Sequence, residues 1–189
     1  TFLCEYPYEG RICFHDKELS GMTKAEQNGM VGYLGHDPEL FNDSVRNNIL
    51  LGDDDDPEKY LKAVCFDGEV AEMEEGMDTI VGNGGVRLSG GQAQRLALAR
   101  TLCHKRPVLI LDDPFSALDR KTEEEVFANL RKLVADSIVI LLSHRLYLFP
   151  EMDQVLWMEG GKVTAGTHEQ ILEKFPEYAR LYEAQADGA

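Results

Sequence analysis

The chain has 189 residues, 43% hydrophobic and 28% charged, which fits one globular domain, or one with a small subdomain. A chain of this length buries about 70% of its unfolded surface, so it needs no disulfide or metal staple. Its 34 acidic residues outnumber 19 basic ones, and the net charge of −15 disfavours binding to nucleic acid or anionic lipid.

Apolar runs reach only about five residues, far short of a membrane span. The opening Thr1-Phe2-Leu3-Cys4-Glu5 has neither the basic nor the long apolar segment expected of a signal peptide. Cys4, Cys13, Cys65 and Cys103 form no CxxC pair and are irregularly spaced. They are expected to be reduced, mostly buried small apolar residues rather than zinc ligands.

In chain order, Arg11 to Phe14 reads as a strand and Val31 to Leu34 as a second. From Asp43 to about Gly76 the pattern is helical, with Val45, Ile49 and Leu50 on one face and Tyr60, Leu61 and Val64 on another. Within it, Asp53-Asp54-Asp55-Asp56-Pro57 reads as a solvated turn and helix start, without the ligand spacing of a calcium loop. A further helix is predicted from Gly90 to Cys103, burying Leu96, Ala99, Leu102 and Cys103. Val108 to Leu111 is a continuous apolar run, as in a parallel strand covered on both faces. Asp119 to Val134 is amphipathic, with Asp119 as its cap and Val126, Leu130, Leu133 and Val134 on the apolar face. Ile138 to Leu142 reads as a second buried strand. Val155 to Met158, Gly160-Gly161 and Lys162 to Thr164 read as a hairpin. The tail from His168 to Ala186 is helical, broken at Pro176. Strand, helix and strand after a helical block predict an α/β core with a helical insertion. Ligands of such sheets sit beyond the carboxyl ends of the strands, which points to Asp112-Asp113 and Ser143-His144.

Asp112 at the end of an apolar strand can hold a hydrated Mg²⁺ bound to nucleotide phosphates. Leu88-Ser89-Gly90-Gly91-Gln92 is the sharper signal. Its glycines let backbone amides approach an anion, and the helix after them adds a positive N-terminus. Alone, the same residues would fit a Ser-capped helix after a Gly-rich turn.

Taken together the motifs resemble the nucleotide-binding domain of ATP-binding-cassette (ABC) transporters, of the exporter type. Leu88 to Gln92 match the family's signature, Val108 to Asp113 its Walker B strand, Ser116 to Asp119 its D-loop and His144 its switch histidine. Gly35 to Phe41 with Ser44 to Ile49 resemble the Q-loop region, and Gly161 to Val163 with Gly166 to Leu172 the exporter C-terminal part. The resemblance implies a P-loop NTPase-type parallel-sheet core. It also implies an ABC helical subdomain at about residues 43–103 and remnants of the antiparallel β subdomain, all within one domain over 1–189. It implies that ATP and Mg²⁺ are bound between two such domains. Ser89, Gly90, Gly91 and Gln92 would touch the ATP held by the partner, and Ser116 and Asp119 would line the dimer face. Asp112 would serve Mg²⁺, and Asp113 and His144 would act in hydrolysis. The implied partners are a second ABC ATPase domain and the coupling helices of transmembrane domains, through which alone the chain meets the membrane, at its cytoplasmic face. No nucleic-acid partner is implied.

The sequence departs from the family pattern in four places. No G-x-x-x-x-G-K-[ST] occurs, and Thr1-Phe2-Leu3 resembles the residues just after the Walker A lysine and serine. The chain is therefore expected to start inside that helix, and by itself to bind ATP very weakly without turning it over. Asp113 stands in place of the usual glutamate. The carboxylate is retracted by roughly 1.5 Å, where a misplacement of about 1 Å can cost on the order of 100-fold. His36 replaces the Q-loop glutamine, which in the family joins Mg²⁺. Asn83 replaces a glutamate near the signature. His36 and Asp113 would act on this domain's own ATP while the signature is intact, which resembles the degenerate-site half of a heterodimeric exporter. The alternatives are a soluble ABC-type ATPase acting on nucleic acid or ribosomes, which the acidic charge opposes, and a non-hydrolysing module that donates its signature. Arg95 and Arg100 are expected to form ion pairs on the signature helix, His104 and His168 to be ordinary surface or loop residues, and Trp157 to pack on the hairpin.

Overall fold

The computed structural model describes residues 8–14 and 16–186, so the readings placed on Thr1 to Leu3 and on Cys4 lie outside the described residues. The described chain forms two compact units, one up to Leu142 and one from Ser143 onward.

The first unit opens with a two-residue antiparallel ladder of β1 (Cys13–Phe14) and β2 (Lys17–Glu18), shorter than the strand predicted from Arg11. Helix α1 (Lys24–Met30) comes next, a segment that carries no helix in the sequence reading. It starts from a capping box in which Thr23 and Glu26 satisfy each other's amides. Strand β3 (Val31–Leu34) leads into a loop, then β4 (Asp43–Ser44). The predicted helical stretch is broken into α2 (Val45–Leu50), α3 (Pro57–Ala63) and α4 (Asp67–Ala71). The breaks have local causes. Leu51 (φ 49°) and Gly52 (φ 94°) turn left-handed after α2, and Cys65 (φ 52°) does so after α3. Asp56 caps α3, with Pro57 at its first position, as the acidic run predicts. Val45, Ile49, Tyr60, Leu61 and Val64 are all buried. Strand β5 (Ile80–Val81) pairs antiparallel with β4.

Helix α5 (Gly90–Cys103) has the predicted bounds and buries Leu96, Ala97, Leu98, Ala99 and Leu102, packing on α2, α3 and β3. Then come β6 (Val108–Asp112), α6 (Arg120–Leu133) and β7 (Ile138–Leu142). The sheet is parallel in the order β3-β6-β7, with Leu34 opposite Leu111 and Asp112 opposite Leu142. Leu109 and Leu111 of the central β6 are fully buried. Strand β7 is not buried as predicted. It is the outer strand among the described residues, with Ile138 67% and Leu142 46% exposed. An apolar run reports a strand but does not show that both its faces are covered.

In the second unit, a 3-10 segment (Leu146–Glu151) precedes the hairpin of β8 (Val155–Glu159) and β9 (Lys162–Gly166). Gly160 (φ 54°) and Gly161 (φ 74°) supply the two left-handed residues that such a tight turn requires. Helices α7 (His168–Lys174) and α8 (Pro176–Ala186) complete the unit. Leu146, Val155, Ile171 and Tyr178 form its core, with Trp157 packed against Phe175 and Tyr178. His168 is not a surface residue: it is buried, with Nδ1 2.7 Å from the Tyr178 hydroxyl. The three described cysteines are free but not buried, since Cys13 is exposed and Cys65 and Cys103 are half-buried. No helix among the described residues is long and apolar enough to cross a membrane.

The contrast between β6 and β7 is testable. In urea unfolding, Leu109→Ala should cost roughly 2–5 kcal/mol through the cavity it leaves. Ile138→Ala should cost less than about 1 kcal/mol.

Candidate functional site

The start of α5 is fixed from three sides. Ser89 (φ −64°, ψ 162°) is its N-cap, and a capping box joins the Gln92 amide to Ser89 Oγ (3.2 Å) and the Ser89 amide to Gln92 Oε1 (2.8 Å). The cap uses only a lone pair of the Ser89 hydroxyl, so its proton remains available to an acceptor. The amides of Gly90 and Gly91 lie in the first turn, where the helix offers them no acceptor. Gln92 Nε2 donates to Glu69 (2.7 Å), and Glu69 pairs with Arg95 at 2.6 Å. Burial raises the Glu69 pKa, but the bonds from Gln92 and Arg95 outweigh it and leave the carboxyl below its ordinary value. Arg95 also donates to the carbonyl of Cys65 (2.7 Å) and lies over the ring of Phe66, so its predicted ion pair forms. Arg100 instead donates to the Glu39 carbonyl (2.7 Å) and lies over Phe41.

Gly91 packs more closely than Gly90. A Cβ there would sit 3.0 Å from the carbonyl oxygen of Ala117, whereas one on Gly90 would meet nothing within 4 Å. Ser116 and Ala117 are held in turn by Gln94, whose Oε1 accepts from the Ser116 hydroxyl (3.2 Å) and the Ala117 amide (3.4 Å). Gln94 Nε2 donates to the Asp113 carbonyl (2.8 Å). Asp119 is spent as the cap of α6, with its carboxylate taking the Thr122 hydroxyl (2.6 Å) and amide (3.1 Å). Those two bonds, the hydroxyl's first, hold its pKa below the ordinary carboxylate value.

A second group of side chains gathers where β3 and β6 end. Asp113 is nearly buried and left-handed (φ 49°), with its amide donating to the Leu142 carbonyl (2.7 Å). Aspartate tolerates this backbone region better than most residues. Its Oδ2 lies 3.8 Å from Nδ1 of the exposed His36. Asp112 Oδ2 accepts from the Tyr33 hydroxyl at 3.4 Å. The oxygen donors of Asp112 suit a hard cation such as Mg²⁺, whereas the imidazole of His36 belongs to softer metals. Thus Ser89, Gly90, Gly91 and Gln92 stand beside Ser116 and the loop leading to Asp119, while His36, Asp112 and Asp113 stand together. His144 belongs to the second unit, where it is exposed and its carbonyl accepts from Gln185 Nε2 (2.7 Å). Asn83 is exposed in the turn after β5. The sequence reading missed Gln94 and Tyr33. For Gln94 a signal existed, since it is the polar member of a helix face that continues through Leu98 and Leu102.

The family model described as ABC transporter matches residues 2–116. The mitochondrial iron-sulfur clusters transporter ATM1 of Yarrowia lipolytica is 35% identical over 94% of this chain and 26% of its own length. The ATP-dependent lipid A-core flippase of Burkholderia thailandensis is 36% identical over 95% of this chain and 31% of its own. The structure of a bacterial Atm1-family ABC exporter with ATP bound superposes with a TM-score of 0.87 and 32% identity, covering 96% of this chain and 33% of that one. The chain therefore spans about a third or less of the length of these relatives.

The packing of Gly91 sets a test. Gly91→Ala should leave the chain less stable than Gly90→Ala by about 1 kcal/mol or more, because its Cβ would press on the Ala117 carbonyl oxygen at 3.0 Å. Gly90→Ala should be neutral or stabilising by up to about 1 kcal/mol through helix propensity, with both read from thermal unfolding.

Proposed function

Because the chain belongs to the ABC transporter family, we propose that it is the ATP-binding and ATP-hydrolysing motor domain of an exporter and forms the degenerate-site half of a heterodimer. The observation that carries this reading is an asymmetry. The start of α5 is intact, with a capped Ser89 and two glycines offering first-turn amides. Two of the three substituted positions, His36 and Asp113, lie 3.8 Å apart, and both would act on this domain's own nucleotide.

In the closed dimer, the Ser89 hydroxyl and the amides of Gly90 and Gly91 donate to the γ-phosphate of the ATP held by the partner domain. Gln92 supports them indirectly, since both ends of its amide are already engaged by Ser89 and Glu69. Asp112, its carboxylate hydrogen-bonded by Tyr33, would hold Mg²⁺ at this domain's own site, where the ion would supply neutralisation of phosphate charge. Asp113 reaches less far than a glutamate and faces an imidazole, so it positions water poorly and the site turns over slowly. His144, in the second unit, would contact a γ-phosphate and attacking water, as the family resemblance implies. Ser116 and Asp119 line the dimer face, with Asp119 also fixing the start of α6. ATP-driven closure moves coupling helices of the transmembrane domains and so exports a substrate, with this domain at the cytoplasmic face of the membrane. The net charge of −15 fits a domain that meets protein rather than nucleic acid.

The full-length assembly with its partner subunit tests the asymmetry by phosphate release. Ser89→Ala should lower turnover at least about 10-fold, because it removes a donor from the competent site. Asp113→Asn should change turnover less than about 2-fold, since its own site contributes little. A large loss with Asp113→Asn, or rapid hydrolysis by an assembly of two copies of this subunit, would refute the degenerate-site reading.

A further inference from the structure

Gln94 is a buried polar residue that the proposed mechanism leaves without a role. It is 3% exposed, a little more than one turn into α5 from Ser89. Every hydrogen bond of its side chain goes to one loop, that from Asp113 to Ala117. Nε2 donates to the Asp113 carbonyl at 2.8 Å, and Oε1 accepts from the Ser116 hydroxyl at 3.2 Å and the Ala117 amide at 3.4 Å. Only this orientation of the amide matches donor to acceptor on both sides, because the flipped form would set its NH₂ against the Ala117 amide and its oxygen against a carbonyl.

The loop needs such a fastening. Asp113 is a non-glycine residue at φ 49°, a backbone state that persists only where its surroundings over-determine it. Three bonds do so: the Asp113 amide donates to the Leu142 carbonyl at 2.7 Å, and the Asp113 carbonyl accepts from Gln94 Nε2 at 2.8 Å and from the Ser116 amide at 3.2 Å. Beside them Gly91 lets α5 approach the Ala117 carbonyl closely, so the helix start and the loop are packed against each other.

We infer that Gln94 is a positioning residue that fixes the Asp113 backbone to the signature helix and thereby couples the two nucleotide sites this domain borders. The inference rests on the ATPase reading above. The start of α5 serves the partner's nucleotide and Asp113 this domain's own, and Gln94 joins the two with a single rigid amide. An exposed helix residue could be exchanged freely, but a buried amide with all three bonds to one loop transmits displacement of either side to the other.

The test uses the full-length assembly and the variants Gln94→Met, which keeps the volume without the bonds, and Ser116→Ala, which removes the hydroxyl bond to Gln94 Oε1 and leaves the other two bonds of that amide. Without nucleotide, Gln94→Met should speed amide exchange about 10-fold or more at both Ala117 and Asp113, leaving β6 and the interior of α5 unchanged. The Asp113 amide is the discriminating site, because it bonds to Leu142 and not to Gln94. Ser116→Ala should shift both amides in the same direction by less. In turnover, Gln94→Met should lower kcat by at least about 5-fold with KM for ATP within about 2-fold, since Gln94 touches no nucleotide. Unchanged protection at Asp113, or a raised KM at unchanged kcat, would overturn the proposal. If Gln94→Met fails to fold, the Ser116→Ala exchange pattern decides by the same criterion. A wild-type assembly that hydrolyses no ATP would refute the ATPase reading, while the exchange data would still decide whether Gln94 positions Asp113.

Discussion

The constraint on which the rest depends is the close approach of α5 to the loop that leaves β6. It is tightest at Gly91, where an added Cβ would lie 3.0 Å from the Ala117 carbonyl oxygen. It places the buried amide of Gln94 where it can close three bonds at once. It leaves the first-turn amides of α5 beside the loop that carries Asp113 and leads to Asp119. A helix N-terminus is common in proteins. Here one is fastened to the exit of a central sheet strand, which holds its first-turn amides and the Asp113 backbone in fixed relation.

The second consequence concerns Asp113. The left-handed backbone at this position is easier for aspartate than for the longer glutamate the family usually carries. The same residue lies 3.8 Å from His36, another of the substituted positions. These two departures are neighbours in space although 77 positions separate them in the chain, and the Asp113 backbone is held by Leu142, Ser116 and Gln94.

Where local signals and packing agree, the sequence was legible. Helix α5 could be read because a Ser-Gly-Gly-Gln box marks its start and apolar spacing its length, and α6 because Asp119 caps an amphipathic run. The hairpin was marked by Gly160-Gly161, both of which do take positive φ. Illegible parts depend on what lies next to a residue in space. Strand β7 reads as buried, yet its exposure is set by its place at the edge of the described sheet. The stretch after Asp43 keeps helical periodicity, but left-handed Leu51, Gly52 and Cys65 cut it into three helices. His168 reads as a loop histidine and is buried against Tyr178. At the candidate site, Ser89 to Gln92, Asp112 and Asp113 stand out by motif. Gln94 is marked only as a polar member of the helix face through Leu98 and Leu102, and its contacts, with residues about 20 positions away, are not legible in the sequence.

The most direct measurement is a structure of the closed full-length assembly with a non-hydrolysable ATP analogue. The account expects Ser89 Oγ and the Gly91 amide within about 3 Å of a γ-phosphate oxygen on nucleotide held mainly by the partner subunit. A closed assembly in which residues 88–92 stand away from every triphosphate would contradict it.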